Sequence, residues 1–158
     1  MCIRDSPSIT LEHQLVDSMA MHLMNIPRNF DVVLTENLFG DILSDEAGVI
    51  TGSLGMLPSA TIGGAVNLYE PVHGSAPDIA GRDLANPTAM LQSAVLMLHH
   101  IHEQETAERV QRALEKVYAE GKVLTRDVGG TSGTRAFADA VIAAMETAQT
   151  GPKGEETR

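Results

Sequence analysis

Hydrophobic and polar residues alternate along this chain in patterns that predict both helices and strands. Apolar residues recur every fourth position over residues 10–24, which predicts an amphipathic helix with Asp17 near its middle, ended by Pro27. Residues 31–35 form a short β-branched run bounded by polar residues, which predicts a buried strand. The later patterns predict further elements, namely a strand at 65–69 and helices at 87–102, 106–120 and 134–147. Together these elements indicate a mixed α/β fold.

The segment after the first predicted strand, Thr35-Glu-Asn-Leu-Phe-Gly-Asp-Ile-Leu-Ser-Asp-Glu46, begins a predicted helix with two aspartates on one face. Asp41 and Asp45 lie four residues apart, so their carboxylates share a face about one turn apart. The chain contains no Lys or Arg between Phe30 and Gly81 to neutralise them. Either the pair is a solvated acidic face, or it holds a hard divalent cation, which takes oxygen ligands. The apolar residues expected on the buried side of the same helix are Leu38, Ile42, Val49 and Ile50.

Composition narrows the classes of protein to consider. With 43% hydrophobic and 20% charged residues, the 158-residue chain has the composition of a globular protein. Its formal net charge of −10 argues against nucleic acids and anionic membranes as partners. Cys2 is the single cysteine, which excludes an internal disulfide framework, and the sequence has no signal-peptide h-region and no apolar run of membrane-spanning length. We therefore expect a soluble, cytoplasmic protein that binds neither nucleic acid nor membrane.

A long loop follows the predicted strand at 65–69. Residues 70–81 contain two prolines, two glycines and several polar side chains, which is more than a connection needs, and such loops commonly carry function. The pair Asn86-Pro87 then provides a helix start, with Asn as N-cap and Pro at the first helical position. The chain has neither G-x-G-x-x-G nor G-x-x-x-x-G-K, so the Rossmann and P-loop fingerprints are both absent. The loop is a candidate ligand site of another kind.

Three segments together carry a resemblance: residues 35–46, Thr51-Gly-Ser-Leu-Gly-Met-Leu-Pro-Ser-Ala60 and Leu68-Tyr-Glu-Pro-Val-His-Gly-Ser-Ala-Pro-Asp-Ile-Ala-Gly81. They resemble one protein family, the isocitrate and isopropylmalate dehydrogenases, which are β-decarboxylating dehydrogenases. The resemblance covers residues 8–145 and implies the α/β fold of that family, incomplete and restricted to its C-terminal part. It implies the end of a dimer-forming, metal-binding domain at 7–51 and the C-terminal half of a cofactor-binding domain at 52–148. The sequence itself indicates an extraneous or truncated start at 1–6, which has no periodicity, and a disordered polar tail at 149–158.

The resemblance also implies a metal site and a cofactor site. Asp17, Asp41 and Asp45 match the aspartates that bind Mg²⁺ or Mn²⁺ in the family, in which the equivalent of Asp17 reaches in from the partner of a homodimer and also approaches the substrate. The residues that match the loop around the adenosine half of NAD are His73, Gly74, Ser75, Ala76, Pro77, Asp78, Ile79, Ala80, Gly81 and Asn86. The family's catalytic Lys and Tyr and its substrate-binding arginines have no match here, so we assign no catalytic residue in this chain.

The resemblance further leads to expectations about cofactor and substrate. Asp78 is expected to favour NAD over NADP, because a carboxylate accepts hydrogen bonds from ribose hydroxyls and repels a 2′-phosphate. The alternative is that Asp78 only caps a turn after Pro77. The implied reaction is the NAD-dependent oxidative decarboxylation of 3-isopropylmalate in leucine biosynthesis, with this chain inactive by itself. Tartrate, homoisocitrate or isocitrate as substrate, and a non-catalytic polypeptide that binds metal or nucleotide, are the alternatives.

Overall fold

The computed structural model describes residue 6 and residues 8–148. Within these residues the chain forms two compact units, one ending at Ile50 and the other beginning at Thr51. The predicted extraneous start at 1–6, apart from Ser6, and the predicted tail at 149–158 lie outside the described residues. The roles predicted for the segments 7–51 and 52–148 stay predictions, and each unit is described by itself below.

The first unit contains two helices around a small core. Helix α1 spans Val16–Asn25, a 3₁₀ turn spans Pro27–Asn29, and helix α2 spans Asn37–Thr51. The buried core residues are Met19, Leu23 and Leu43, against which Ala20 and Phe30 pack. This core is small because most of the other apolar side chains of the unit are exposed.

The prediction that the first helix begins at residue 10 was wrong. It begins at Val16, so Asp17 lies in the first turn and not near the middle. Leu11 and Leu15 continue the apolar spacing but are exposed, so their positions gain no burial within the described chain. Helices in proteins are stabilised mainly by packing of their apolar face. The apolar pattern begins at Leu11, but the packing that would stabilise a helix begins only near Met19, so the helix is shorter than the pattern.

The prediction of a buried strand at 31–35 was also wrong. These residues are assigned to no strand, and the side chains of Val32 and Leu34 are 88% and 81% exposed. A strand forms by backbone pairing with a neighbour, and no described residue pairs with this segment. The β-branched composition therefore indicates that this segment is suited to a sheet. The described part of the chain contains no strand that pairs with it.

The apolar stripe of α2 faces outward, contrary to the prediction. Leu38, Ile42 and Val49 are 65%, 56% and 69% exposed, and Ile50 is exposed too. The helix instead buries Leu43 and Gly48. Helical spacing shows that an apolar face exists, but it does not say which surface covers that face.

The second unit contains a two-stranded antiparallel sheet. Strand β1 spans Pro58–Thr61 and strand β2 spans Leu68–Pro71, with Pro58 opposite Pro71 and Thr61 opposite Leu68. The second strand lies later in the chain than the predicted strand at 65–69, and the first was not predicted, because a segment rich in Gly with a Pro resembles a connection. The two prolines lie at strand ends, where a missing N–H removes little pairing.

The three helices predicted in the second unit are confirmed. Helix α3 spans Thr88–His100, α4 spans Gln104–Glu120 and ends at Gly121 with a φ of 64°, and α5 spans Thr134–Ala148. Helix α3 is central, as predicted, since it packs against both strands and against α4. The buried core lies between α4 and α5 and consists of Ala113, Leu114, Val117, Phe137, Val141 and Ala144. No helix of the described residues is long and apolar enough to cross a membrane.

Candidate functional site

The two aspartates of α2 project into solvent from the first unit. Asp41 and Asp45 are both exposed, and the Asn37 side-chain amide donates a hydrogen bond to Asp41 Oδ2 over 3.1 Å. Neither carboxylate forms a salt bridge with any residue that the structure describes. The pair is therefore an uncompensated acidic face one helical turn long, which suits a divalent cation and also suits solvent.

Asp17 lies elsewhere on the first unit, in the first turn of α1. Its Oδ1 accepts a hydrogen bond from the backbone N–H of Ser18 over 2.7 Å, and the residue is exposed. No three His, Cys, Asp or Glu side chains among the described residues are grouped so that they could hold a metal ion. One chain thus brings together Asp41 and Asp45 but does not add Asp17 to them, and the three-aspartate metal site stays a prediction.

The candidate cofactor loop connects β2 to α3 and is held by two short backbone turns. Ile79 N–H donates to the Ala76 carbonyl and Arg82 N–H to the Ile79 carbonyl, each over 3.1 Å. Ala76 adopts a φ of 42°, a left-handed conformation that costs a non-glycine residue roughly 1–2 kcal/mol. Residues 74–78 are exposed, while His73 and Ile79 are half-buried. The loop therefore presents a shaped, accessible surface with strain stored in its backbone.

Asp78 lies at the exposed tip of this loop. Its carbonyl accepts a long hydrogen bond of 3.4 Å from Arg82 Nη1, whereas its carboxylate accepts no hydrogen bond from the described residues. The alternative that the Asp78 side chain caps a turn after Pro77 is therefore not what the structure contains. The carboxylate is available to a ligand.

The end of the loop is attached to the beginning of α5 through Asp83. Asp83 Oδ1 accepts a hydrogen bond from the backbone N–H of Arg135 over 2.9 Å, and the Asp83 carbonyl accepts one from Thr134 N–H over 3.3 Å. A Cβ added to Gly133 would clash with the Asp83 carboxylate, so glycine is required for this close approach. Asp83 thus accepts hydrogen bonds from N–H groups in the first turn of α5, which have no acceptor within the helix, although Asp83 lies about fifty residues earlier in the chain.

Asn86 is the predicted site residue that the structure buries most deeply. It is 7% exposed, and its Oδ1 accepts a hydrogen bond from Thr88 N–H over 3.0 Å, as an N-cap side chain does, although the helix begins one residue later than predicted, with Pro87 at the N-cap position. Its amide nitrogen donates to Asp127 Oδ2 over 2.9 Å and to the Tyr118 hydroxyl over 3.3 Å. The Asn86 side chain therefore joins the start of α3 to two later parts of the chain.

Neither Asp127 nor its contacts with Ser53 and Asn86 were predicted from the sequence. Asp127 Oδ2 also accepts a hydrogen bond from Ser53 Oγ over 2.5 Å. Partial burial disfavours the charged carboxylate, but several hydrogen bonds to the carboxylate, first among them the one from Ser53, outweigh the effect of burial, so the pKa of Asp127 lies below its ordinary value. Only a general indication of these contacts was available from the sequence, because a buried Asn side chain needs hydrogen-bond acceptors for its amide hydrogens. Sequence spacing does not say which residues these are.

The sequence of this chain matches one protein family. The family described as isocitrate/isopropylmalate dehydrogenase matches residues 2–141, so the chain belongs to this family of oxidoreductases. The resemblance and the fold class inferred from the three sequence segments are thereby confirmed.

Relatives and solved structures specify the similarity further. The chain is 52% identical over 144 residues to a 3-isopropylmalate dehydrogenase of Streptococcus pneumoniae and 50% identical over 143 residues to one of Deinococcus radiodurans. Each of these matches covers 90% of this chain. It spans 41% and 40% of the length of those two proteins. Among solved structures, isocitrate dehydrogenase from Methylococcus capsulatus matches 90% of this chain and 42% of its own, with a TM-score of 0.86 and 42% identity. The chain corresponds to part of such a protein.

Proposed function

We propose that this chain is part of an NAD-dependent, metal-requiring 3-isopropylmalate dehydrogenase that acts in leucine biosynthesis. The sequence identity of 52% to a protein of that name supports the substrate. The observation that carries the chemistry is the exposed pair Asp41 and Asp45, one turn apart and without a cationic partner among the described residues. The predicted cytoplasmic location rests on the single cysteine and stays a prediction.

The carboxylates of Asp41 and Asp45 would hold Mg²⁺ or Mn²⁺ through oxygen ligands, which both ions prefer. A divalent ion bound there supplies Lewis-acid stabilisation of negative charge on the substrate's oxygens. The role of the two aspartates is to bind and orient that charge from one rigid helix face, which α2 provides. Two carboxylates leave further coordination positions open for substrate, water and another protein ligand.

The further protein ligand is proposed to be Asp17 of a second copy of the chain in a homodimer. Within one chain Asp17 is not grouped with the pair, although all three aspartates are exposed. In a two-fold symmetric dimer each copy can give Asp17 to the other's site, where it also approaches the substrate. The exposed apolar residues Leu38, Ile42 and Val49 on the helix that carries the pair support this arrangement, because an interface would remove them from water.

The adenosine half of NAD is proposed to bind the loop from His73 to Gly81, together with Asn86. The exposed loop backbone, the strained φ of Ala76 and the free carboxylate of Asp78 support this proposal. Asp78 would accept hydrogen bonds from the ribose hydroxyls and would repel the 2′-phosphate of NADP. The cofactor accepts the hydride, and the loop serves to hold its distant end.

A second candidate keeps the reaction class and changes the substrate to isocitrate. It is favoured by the similarity to the isocitrate dehydrogenase of Methylococcus capsulatus, at a TM-score of 0.86. Both candidates need an α/β fold with a metal-binding carboxylate pair, so those features do not separate them.

The longer protein that contains this chain separates the two candidates. Its formation of NADH from 3-isopropylmalate and from isocitrate, in the presence of Mg²⁺, should give a kcat/KM at least about a hundredfold higher for 3-isopropylmalate, as expected when a side-chain pocket discriminates two substrates. A preference for isocitrate would establish the second candidate. Activity with neither substrate would contradict the proposed reaction.

A further inference from the structure

The side chain of Asn86 has little left to offer a ligand. Its Oδ1 accepts a hydrogen bond from the N–H of Thr88, and its amide nitrogen lies within hydrogen-bond distance of three acceptors, namely Asp127 Oδ2 at 2.9 Å, the Tyr118 hydroxyl at 3.3 Å and Met56 Sδ at 3.6 Å. The residue is also 7% exposed. Asn86 therefore affects ligand binding through the position of its backbone and of the adjoining loop. The contacts of its side chain fix that position.

Asp127 is the charged member of those contacts. Its Oδ2 accepts from both Ser53 and Asn86, at 2.5 Å and 2.9 Å, and hydrogen bonds to an ionised acceptor are roughly twice as strong as neutral ones. The low pKa of Asp127 accords with an ionised acceptor. Gly55 permits the approach, because a Cβ at that position would lie 2.9 Å from the Cβ of Asn86. One carboxylate thus links three segments that are distant in the sequence.

We propose that Asp127 is a positioning residue for cofactor binding. Its carboxylate holds the Asn86 amide, and Asn86 in turn holds the first turn of α3 and the end of the candidate cofactor loop. This inference rests on the proposed binding of the adenosine half of NAD to that loop. Without the carboxylate, the buried amide of Asn86 loses its strongest partner, and the loop end can take up other arrangements.

A donor–acceptor swap tests the pair in the longer protein that contains this chain. Asp127→Asn removes the charge, Asn86→Asp places two carboxylates against each other, and the double variant restores one donor and one acceptor in reverse order. The aspartate that Asn86→Asp introduces can still cap α3, since Asp is as good an N-cap as Asn. The matched control is Asp139→Asn on the exposed surface of α5.

The measurement is a ¹H–¹⁵N NMR titration with ADP-ribose, which reports affinity and the environment of the Thr88 amide together. We expect each single variant to weaken ADP-ribose binding about fivefold or more. The double variant should bind within about twofold of the unmutated protein, because the effects of mutations in two contacting residues are not additive. Asp139→Asn should bind as the unmutated protein does. A purely structural role would change thermal unfolding without this pattern of loss and recovery in affinity.

The outcomes separate the inference from the proposed function. If the unmutated longer protein does not bind ADP-ribose, the proposed cofactor site is wrong and the inference fails with it. If the unmutated protein binds and Asp127→Asn binds equally well, or the double variant recovers nothing, only the inference is overturned.

A further variant covers the case in which Asp127→Asn does not fold. Asn86→Ser keeps an N-cap residue but is too short to reach Asp127. It should weaken ADP-ribose binding to a similar extent, and affinity equal to that of the unmutated protein would overturn the inference.

Discussion

The part of the chain up to Ile50 and the part from Thr51 onward differ in how their apolar side chains are covered. From Thr51 onward, Leu114, Val117, Phe137 and Val141 are buried between α4 and α5, and the sheet packs on α3. Up to Ile50, three buried residues form the core, while Val32, Leu34 and Leu38 are exposed. The second unit therefore closes its core with its own helices, and the first does not.

This difference shows which unit depends on surfaces outside the described chain. Hydrophobic burial is the main favourable contribution to folding, so a unit with an uncovered apolar helix face gains little stability by itself. The relatives of this chain are more than twice as long, and the chain spans about 41% of the S. pneumoniae protein. We expect the additional sequence and a second copy to cover the first unit.

The largest expected effect concerns the chemistry of the first unit. In the longer protein, Asp41→Asn combined with Asp45→Asn should reduce Mg²⁺-dependent turnover of 3-isopropylmalate by at least about ten-thousandfold, because catalytic groups that act as a unit fail together. The measurement is kcat/KM at several Mg²⁺ concentrations. The control is Asp139→Asn, which changes an exposed carboxylate of the second unit. Retained Mg²⁺ dependence in the double variant would show that these aspartates do not hold the ion.

The next effect concerns stability and compares one apolar residue from each unit. In the 158-residue chain, Phe137→Ala should lower the free energy of unfolding by about 3–4 kcal/mol, since Phe137 is fully buried and its removal leaves a cavity. Leu38→Ala should change it by no more than about 0.5 kcal/mol, because Leu38 is already exposed to water. Urea denaturation followed by circular dichroism measures both values. Similar losses for the two variants would mean that the first unit is covered in the isolated chain.

The smallest expected effect concerns the cofactor loop of the second unit. The longer protein should prefer NAD over NADP by about a hundredfold in kcat/KM, on the order expected for a carboxylate placed against a 2′-phosphate. Asp78→Lys combined with Ile79→Tyr should move this ratio toward NADP. As a control, Arg82→Gln should leave the order of preference unchanged, since the Arg82 side chain contacts the Asp78 carbonyl and not its carboxylate. Equal use of both cofactors before mutation would show that Asp78 does not set the choice.

For the second unit, most of the helical fold could be predicted from the sequence. Helices predicted at 87–102, 106–120 and 134–147 are found at Thr88–His100, Gln104–Glu120 and Thr134–Ala148. These predictions succeed because the apolar stripe and the surface that buries it belong to the same unit. The strand predicted at 31–35 failed for the opposite reason, since its pairing partner is not among the described residues.

For the candidate sites, too, the sequence predicted the local features and not the contacts between distant residues. The types and spacing of residues alone predicted that Asp41 and Asp45 share a helix face and that the Asn86 side chain accepts a hydrogen bond at the start of a helix, because both depend only on neighbours within a turn or two. The partner of the Asn86 amide is 41 residues away and that of Ser53 is 74 residues away. Only the tertiary structure brings these groups to Asp127, since a buried polar group bonds to whatever the packing places beside it.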